Sequence, residues 1–142
     1  MEIYQVSVFV ENKSGKLADI TDVLSENGIN IRALCIADTA DFGILRLIVK
    51  DPQKTEKILM DHGFTVTLTR VIGASISDTP GGLSAVLRVL SDAGISIEYL
   101  YAFIEKTTDR ASVILRVDDD VRAEKVLTEN GVELIGGDAF HE

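Results

Sequence analysis

Apolar positions follow two periods in alternation along this chain, and the whole alternation occurs twice. Ile3-Tyr4-Gln5-Val6-Ser7-Val8-Phe9-Val10 places Tyr4, Val6 and Val8 on one face, with Phe9 and Val10 thickening its end, and predicts a first strand. The spacing then changes. Leu17, Ile20, Val23 and Leu24 fall on one side of a helix, and Asp19, Asp22 and Glu26 on the other. Asn27-Gly28 stops that helix. Ile29 to Ala37 and Phe42 to Val49 predict a second and a third strand, joined by the polar turn Asp38-Thr39-Ala40-Asp41. Asp51-Pro52 opens a second helix with Ile58 and Leu59 inward, His62-Gly63 ends it, and Phe64 to Leu68 predicts a fourth strand.

The second half repeats the order. Val71 to Ser77 predicts a strand, and Leu83, Val86, Leu87 and Leu90 mark a helix ending at Gly94. Ile95 to Ile104 and Ala111 to Val117 predict strands, with Lys106 to Asp109 in the turn between them. Asp118-Asp119-Asp120 supplies a carboxylate cap for a helix carrying Ala123, Val126 and Leu127, and Val132 to Ile135 closes the set. The glycines correspond at an offset of 66 (81 − 15), and Glu56-Lys57-Ile58-Leu59 corresponds to Glu124-Lys125-Val126-Leu127 at 68 (124 − 56). The two extra residues are assigned to the hairpin turn of the second copy, where insertions cost little.

The order βαββαβ, twice, predicts an α+β protein. It has two tandem ferredoxin-like units, each an antiparallel sheet with its helices on one face. Residues 1–69 form the first unit and 70–142 the second, with Gly136 to Glu142 as a short, loose C-terminal tail. No linker separates them. Phe64 to Ser77 is interrupted only near Arg70 and Gly73, and so short a joint predicts that the units pair side by side.

Composition narrows the function classes. Within 142 residues each copy has about half, near the lower limit for a self-sufficient core. A formal net charge of −9 argues against binding to nucleic acid or to an anionic membrane, both of which require Lys and Arg. No apolar run approaches the roughly 20 residues that span a bilayer. The start Met1-Glu2-Ile3-Tyr4-Gln5 lacks a basic segment ahead of an apolar one, so no signal peptide is expected. The single cysteine, Cys35, forms no internal disulfide, and a cytoplasmic location is the expectation.

The candidate chemistry lies where each first strand turns through glycine into a helix: Asn12-Lys13-Ser14-Gly15-Lys16-Leu17 and Asp78-Thr79-Pro80-Gly81-Gly82-Leu83. Such a turn directs several backbone N–H groups, and the positive end of the helix dipole, at one spot suited to a carboxylate or phosphate. The competing explanation gives the glycines a purely conformational role and makes Ser, Thr and Asp helix caps.

Each turn-plus-helix is followed by a similar run, Gly28-Ile29-Asn30-Ile31 or Gly94-Ile95-Ser96-Ile97. In this, and in the doubled element order, the chain resembles the ACT domain, a small regulatory module of amino-acid metabolism, over nearly its whole length. The resemblance implies effector amino acids held between modules, by the strand–helix turn of one and the start of the second strand on its neighbour. By position it assigns ligand contacts to Asn12, Lys13, Ser14, Gly15, Lys16 and Leu17, and to Asp78, Thr79, Pro80, Gly81, Gly82 and Leu83. On the strands it assigns them to Asn30 and Ile31, and to Ser96 and Ile97. It also implies a homodimer or other homo-oligomer, and an amino-acid biosynthetic enzyme or regulator as partner. The copies differ: the second has Pro80-Gly81 where the first has Ser14-Gly15, and Asp78 and Ser96 where the first has Asn12 and Asn30. Unequal affinities follow.

The expectation is therefore a non-catalytic protein that binds a free amino acid, with no cofactor and no metal. The alternative is a small hydrolase of the acylphosphatase type on a ferredoxin-like fold. Against it, neither turn contains an arginine, and no His or Cys lies nearby in sequence as base or nucleophile. An RNA-binding sheet is disfavoured by 6% aromatic residues and the acidic balance. His62, His141 and Cys35 lack metal-ligand spacing. Cys35 reads as a small core residue, Tyr99, Tyr101 and Phe103 as packing, and Arg32, Arg46 and Arg116 as surface ion-pair partners.

Overall fold

The computed structural model describes residues 2–11, 13–38, 41–104 and 109–141. Along the chain run β1 (Ile3–Glu11), α1 (Lys16–Glu26), β2 (Ile31–Asp38), β3 (Phe42–Val49), α2 (Pro52–Asp61) and β4 (Thr65–Ser77). Then follow α3 (Gly82–Asp92), β5 (Ile97–Ile104), β6 (Arg110–Val117), α4 (Asp120–Glu129), β7 (Glu133–Ile135) and a helical turn, α5 (Asp138–His141). Packing divides the chain into two units, Tyr4–Arg70 with Gly137–Glu142, and Val71–Gly136 with Met1–Ile3. These units are defined by packing, whereas the repeats 1–69 and 70–142 rest on sequence correspondence.

In the first unit the strand order is β2-β3-β1-β4, with both described pairings of β3 antiparallel. Register explains the helix-covered face. Val8 and Ile36 both lie opposite Leu45, and Val6 and Leu34 opposite Leu47, so these side chains share one side of the sheet. Val6, Val8, Val10, Leu45, Leu47 and Val49 meet Ile20 and Leu24 of α1 and Leu59 of α2 in one core. Phe9, expected to thicken that face, lies instead opposite Ile44 on the other side and is 46% exposed, because alternation along a strand is strict.

The second unit repeats the order as β7-β4-β6-β5. Ile72, Ala74 and Ile76 of β4 and Val113, Leu115 and Val117 of β6 pack with Val86 and Leu90 of α3 and Ala123 and Leu127 of α4. Tyr99, Tyr101 and Phe103 pair with Arg116, Ile114 and Ser112 on the face away from those helices and are half-buried. Two α+β units of the ferredoxin-like kind are thus present.

Two expectations need correction. The joint between the repeats has no break: β4 is continuous over 13 residues, and the division between packing units falls inside it. Gly73 sits in this strand because nothing larger fits there. A Cβ would lie 2.7 Å from Ile3 Cδ1 and 3.3 Å from Ile135 Cβ. The segment after Gly136 is not a loose tail either. Gly137 is buried and α5 lies against β3 within the first unit. So short a run carries no periodicity from which that could be read. Among the described residues, no helix is long and apolar enough to cross a membrane.

Candidate functional site

The two strand–helix corners are built alike. Gly15 (φ 86°, ψ −11°) and Gly81 (φ 89°, ψ −8°) are the N-caps of α1 and α3, both in the left-handed region. An added Cβ would meet nothing within 4 Å at either, so the demand for glycine is one of backbone conformation. Neither helix has a side-chain cap. In α2 and α4, by contrast, Asp51 and Asp119 accept from the N–H groups of Lys54 and Arg122, both at 3.1 Å. Ser14 and Thr79 therefore do not cap; the Thr79 hydroxyl lies 2.8 Å from that of Ser77.

With no cap, the first turns keep donors to spare. In α1, Lys16 N–H reaches Lys13 O (3.3 Å) and Asp19 N–H reaches Gly15 O (2.9 Å). The Leu17 and Ala18 N–H groups between them meet no acceptor among the described residues. In α3, Gly82 N–H reaches Thr79 O and Ala85 N–H reaches Gly81 O, both at 3.0 Å, which leaves Leu83 and Ser84 in the same position. Each corner so presents adjacent N–H groups on the positive end of a helix, an arrangement that takes an anion. Leu17 and Leu83, assigned to the buried face by their period, are 39% and 36% exposed beside these donors.

The corners differ in detail. In the first, Lys13 Nζ pairs with Glu11 Oε2 at 2.8 Å, and Lys13 N–H donates to Glu11 O at 2.7 Å. The hydrogen bond from Lys13, and then its charge, hold the Glu11 carboxyl below the usual carboxylate range, and the same contact raises Lys13. Asn12 lies outside the described residues. In the second, Asp78 N–H donates to Asp109 O at 2.7 Å. Gly82 there has no room for a side chain, since a Cβ would lie 2.0 Å from Ser77 O. Lys16 holds the equivalent position in the first corner.

The second strands begin at Ile31 and Ile97, two residues later than expected. The N–H groups of Ile29 and Ile95 close the preceding helices instead, onto Leu24 O (2.9 Å) and Leu90 O (3.0 Å). Asn30 and Ser96 are exposed just ahead of the strands. Asn30 and Ile31 border an open cavity of about 370 Å³ with Thr21, Ser25 and Gly28. Leu83 and Ser84 border one of about 380 Å³ with Leu87, Arg88 and Ser91. Within a unit the corner and the strand start lie at opposite ends of an 11-residue helix, about 16 Å long, and do not meet.

Elsewhere, Arg116 pairs with Glu98 (Nε–Oε2 3.3 Å), and Cys35 lies half-buried in mid-β2. Among the described residues no cluster of His, Cys, Asp and Glu has the makings of a metal site.

The family description "ACT domain pair" matches residues 1–142. The chain belongs to this family. As an ACT-domain pair it is similar to protein BT0572 from Bacteroides thetaiotaomicron, whose crystal structure matches at 44% identity with a TM-score of 0.94, over 100% of this chain and 97% of that one. The ligand-free regulatory subunit of aspartate kinase from Thermus thermophilus matches at 17% identity and a TM-score of 0.64, covering 91% of this chain and 93% of that one. The corresponding subunit from Thermus flavus matches at 20% and 0.65, covering 90% of each chain. At those identities the likeness is one of fold. Among curated proteins none matches.

Proposed function

We propose that this ACT-domain pair is a non-catalytic regulatory protein that binds a free amino acid and passes the signal on through association with itself or with an enzyme of amino-acid synthesis. The observation that carries the reading is the pair of uncapped, glycine-opened helices, in which the N–H groups of Leu17 and Ala18, and of Leu83 and Ser84, meet no acceptor among the described residues. A free amino acid offers a carboxylate that such donors hold, and an ammonium that needs carbonyl or carboxylate acceptors. Two of the fold's neighbours are regulatory subunits of aspartate kinase, which suits a part in controlling an enzyme.

In the finer proposal, the corner residues Asn12 to Leu17 or Asp78 to Leu83 grip one end of the ligand. The start of a second strand on a neighbouring module, Asn30-Ile31 or Ser96-Ile97, grips the other. That each corner lies a helix length from its own strand start supports the need for a neighbour. The test is thermal unfolding against the twenty free amino acids. A ligand at 100 times its Kd adds about 2.7 kcal/mol, a rise of several degrees in Tm. A Tm raised by one amino acid, or by a few related ones, supports the reading. A Tm moved by none of them, but moved by a phosphate ester, overturns it in favour of a hydrolase.

A further inference from the structure

β2 stands at the edge of the first unit's sheet: in the order β2-β3-β1-β4 it pairs with β3 alone among the described strands. Proteins commonly blunt such an edge with lysine, proline or a bulge, because its outer N–H and C=O groups are ready to pair with another strand. In β2 the one irregularity lies between Ile31 and Ala33, and from Ala33 to Asp38 the ladder to β3 is regular. The run Ala33-Leu34-Cys35-Ile36-Ala37 has neither charge nor proline. Leu34 and Ile36 lie on the helix side of the sheet yet are 53% and 49% exposed, so the helices leave this edge uncovered. Arg32 and Asp38, both exposed, stand at the two ends of the run, three residues either side of Cys35. The equivalent strand of the second unit, β5, lacks the pattern: Glu98 is its one charged residue and pairs with Arg116, and Leu100 is half-buried.

We propose that the partner of the β2 edge is a second copy of this chain, its β2 laid antiparallel against the first about a two-fold axis at Cys35. The strand is complementary to itself in that register. Leu34 faces Ile36 twice, Ala33 faces Ala37 twice, Cys35 faces itself, and the oppositely charged positions Arg32 and Asp38 come together twice. A slip of two residues, the smallest that keeps the helices of both copies on one side, sets Leu34 against Asp38 or Arg32 against Ile36. The charges thus select the register, and the exposed apolar side chains cover one another. This deepens the proposed function, since it gives self-association a defined surface. It also bears on the ligand site. Glu11 at the end of β1 lies opposite Phe42, and Asp38 opposite Gly43, so the first glycine corner and the end of β2 share one end of the sheet. Antiparallel pairing brings that end of one copy beside the Asn30-Ile31 start of the other, the neighbour that the proposed site requires.

The experiment measures the mass of the full chain by sedimentation, without ligand, over a wide range of concentration. A dimer is expected. Arg32→Asp and Asp38→Arg each set like charges against one another twice, and each should weaken the dimer by about tenfold or more. Mixing the two variants restores both opposite-charge pairs across the edge. The mixture, and the doubly substituted chain, should therefore dimerise more tightly than either single variant, which also shows that both variants fold. A parent that stays monomeric, single variants as tight as the parent, or a mixture no tighter than its components each overturns the inference. A second readout is covalent. Directly opposite residues have Cα atoms about 4.5–5.5 Å apart, inside the range of about 4.4–6.8 Å that a disulfide spans. Oxidised glutathione, reduced to two thiols as one bond forms between two Cys35 sulfurs, should link the parent into covalent dimers, and Arg32→Asp far less. No covalent dimer in the parent, or equal yields, overturns the inference. Neither readout uses an effector, so a chain whose Tm no amino acid raises loses the sensing function while this interface stands.

Discussion

Gly81 and Gly82 are neighbours that demand glycine for different reasons, and substitution separates the two. Alanine at Gly81 must adopt φ near +89° in open space, which costs about 1–2 kcal/mol. Alanine at Gly82 places a methyl group 2.0 Å from the Ser77 carbonyl, so the backbone of the corner has to shift. The expected cost is about 3 kcal/mol, at the upper end for overpacking, read from the urea midpoint. Lys16→Ala, at the equivalent position, should stay within about 0.5 kcal/mol. The sequence made the glycines of both corners visible as a pair of spaced repeats. It did not reveal that Gly82 answers to steric contact, because that depends on where the Ser77 carbonyl points. Acid should find the first corner as well. Glu11 has a lowered pKa in the folded chain, so its contribution is present above the ordinary carboxylate range near pH 4 and is lost as pH falls through the folded value. Both partners are exposed and screened, so Glu11→Gln should flatten the acid limb of the stability–pH curve only slightly, and less still in high salt.

At the scale of elements, the four long helices start in two ways. Asp51 and Asp119 cap α2 and α4 with a carboxylate, and alanine at either should cost about 0.5–2 kcal/mol in chemical denaturation. α1 and α3 have no side-chain cap to lose. Helix positions were legible because Ile20, Leu24, Val86 and Leu90 keep a helical period under burial. Strand starts were less so: Ile29 and Ile95 are apolar like strand residues, but their N–H groups are committed to the helix before them. In β4 the contact between Gly73 and Ile3 offers a coupling test. Gly73→Ala should destabilise through its 2.7 Å approach to Ile3 Cδ1, and less so in an Ile3→Val background, where that methyl is gone. Equal penalties in both backgrounds, by urea denaturation, would assign the cost to Ile135.

For the whole molecule, each packing unit includes a short piece from the far end of the chain: Gly137–Glu142 with Tyr4–Arg70, and Met1–Ile3 with Val71–Gly136. The tandem repeat was plain from residue spacing, since both halves carry the same strand–glycine–helix order. The exchanged ends were not, because two or three residues at a terminus carry no period. Ile3→Ala should accordingly cost about 2–5 kcal/mol, since Ile3 is 2% exposed, and the loss should appear as earlier amide exchange in β4 and β7 around Gly73 and Ile135.

The crossing of the ends also bears on how the protein is made. On a ribosome, Tyr4 to Arg70 emerges first but lacks α5 until the last residues of this sequence have been added. Ile3 has no place to dock until β4 and β7 follow. Neither unit is whole part-way through translation, so nascent chains stalled near residue 70 should be cut by protease more readily than finished ones.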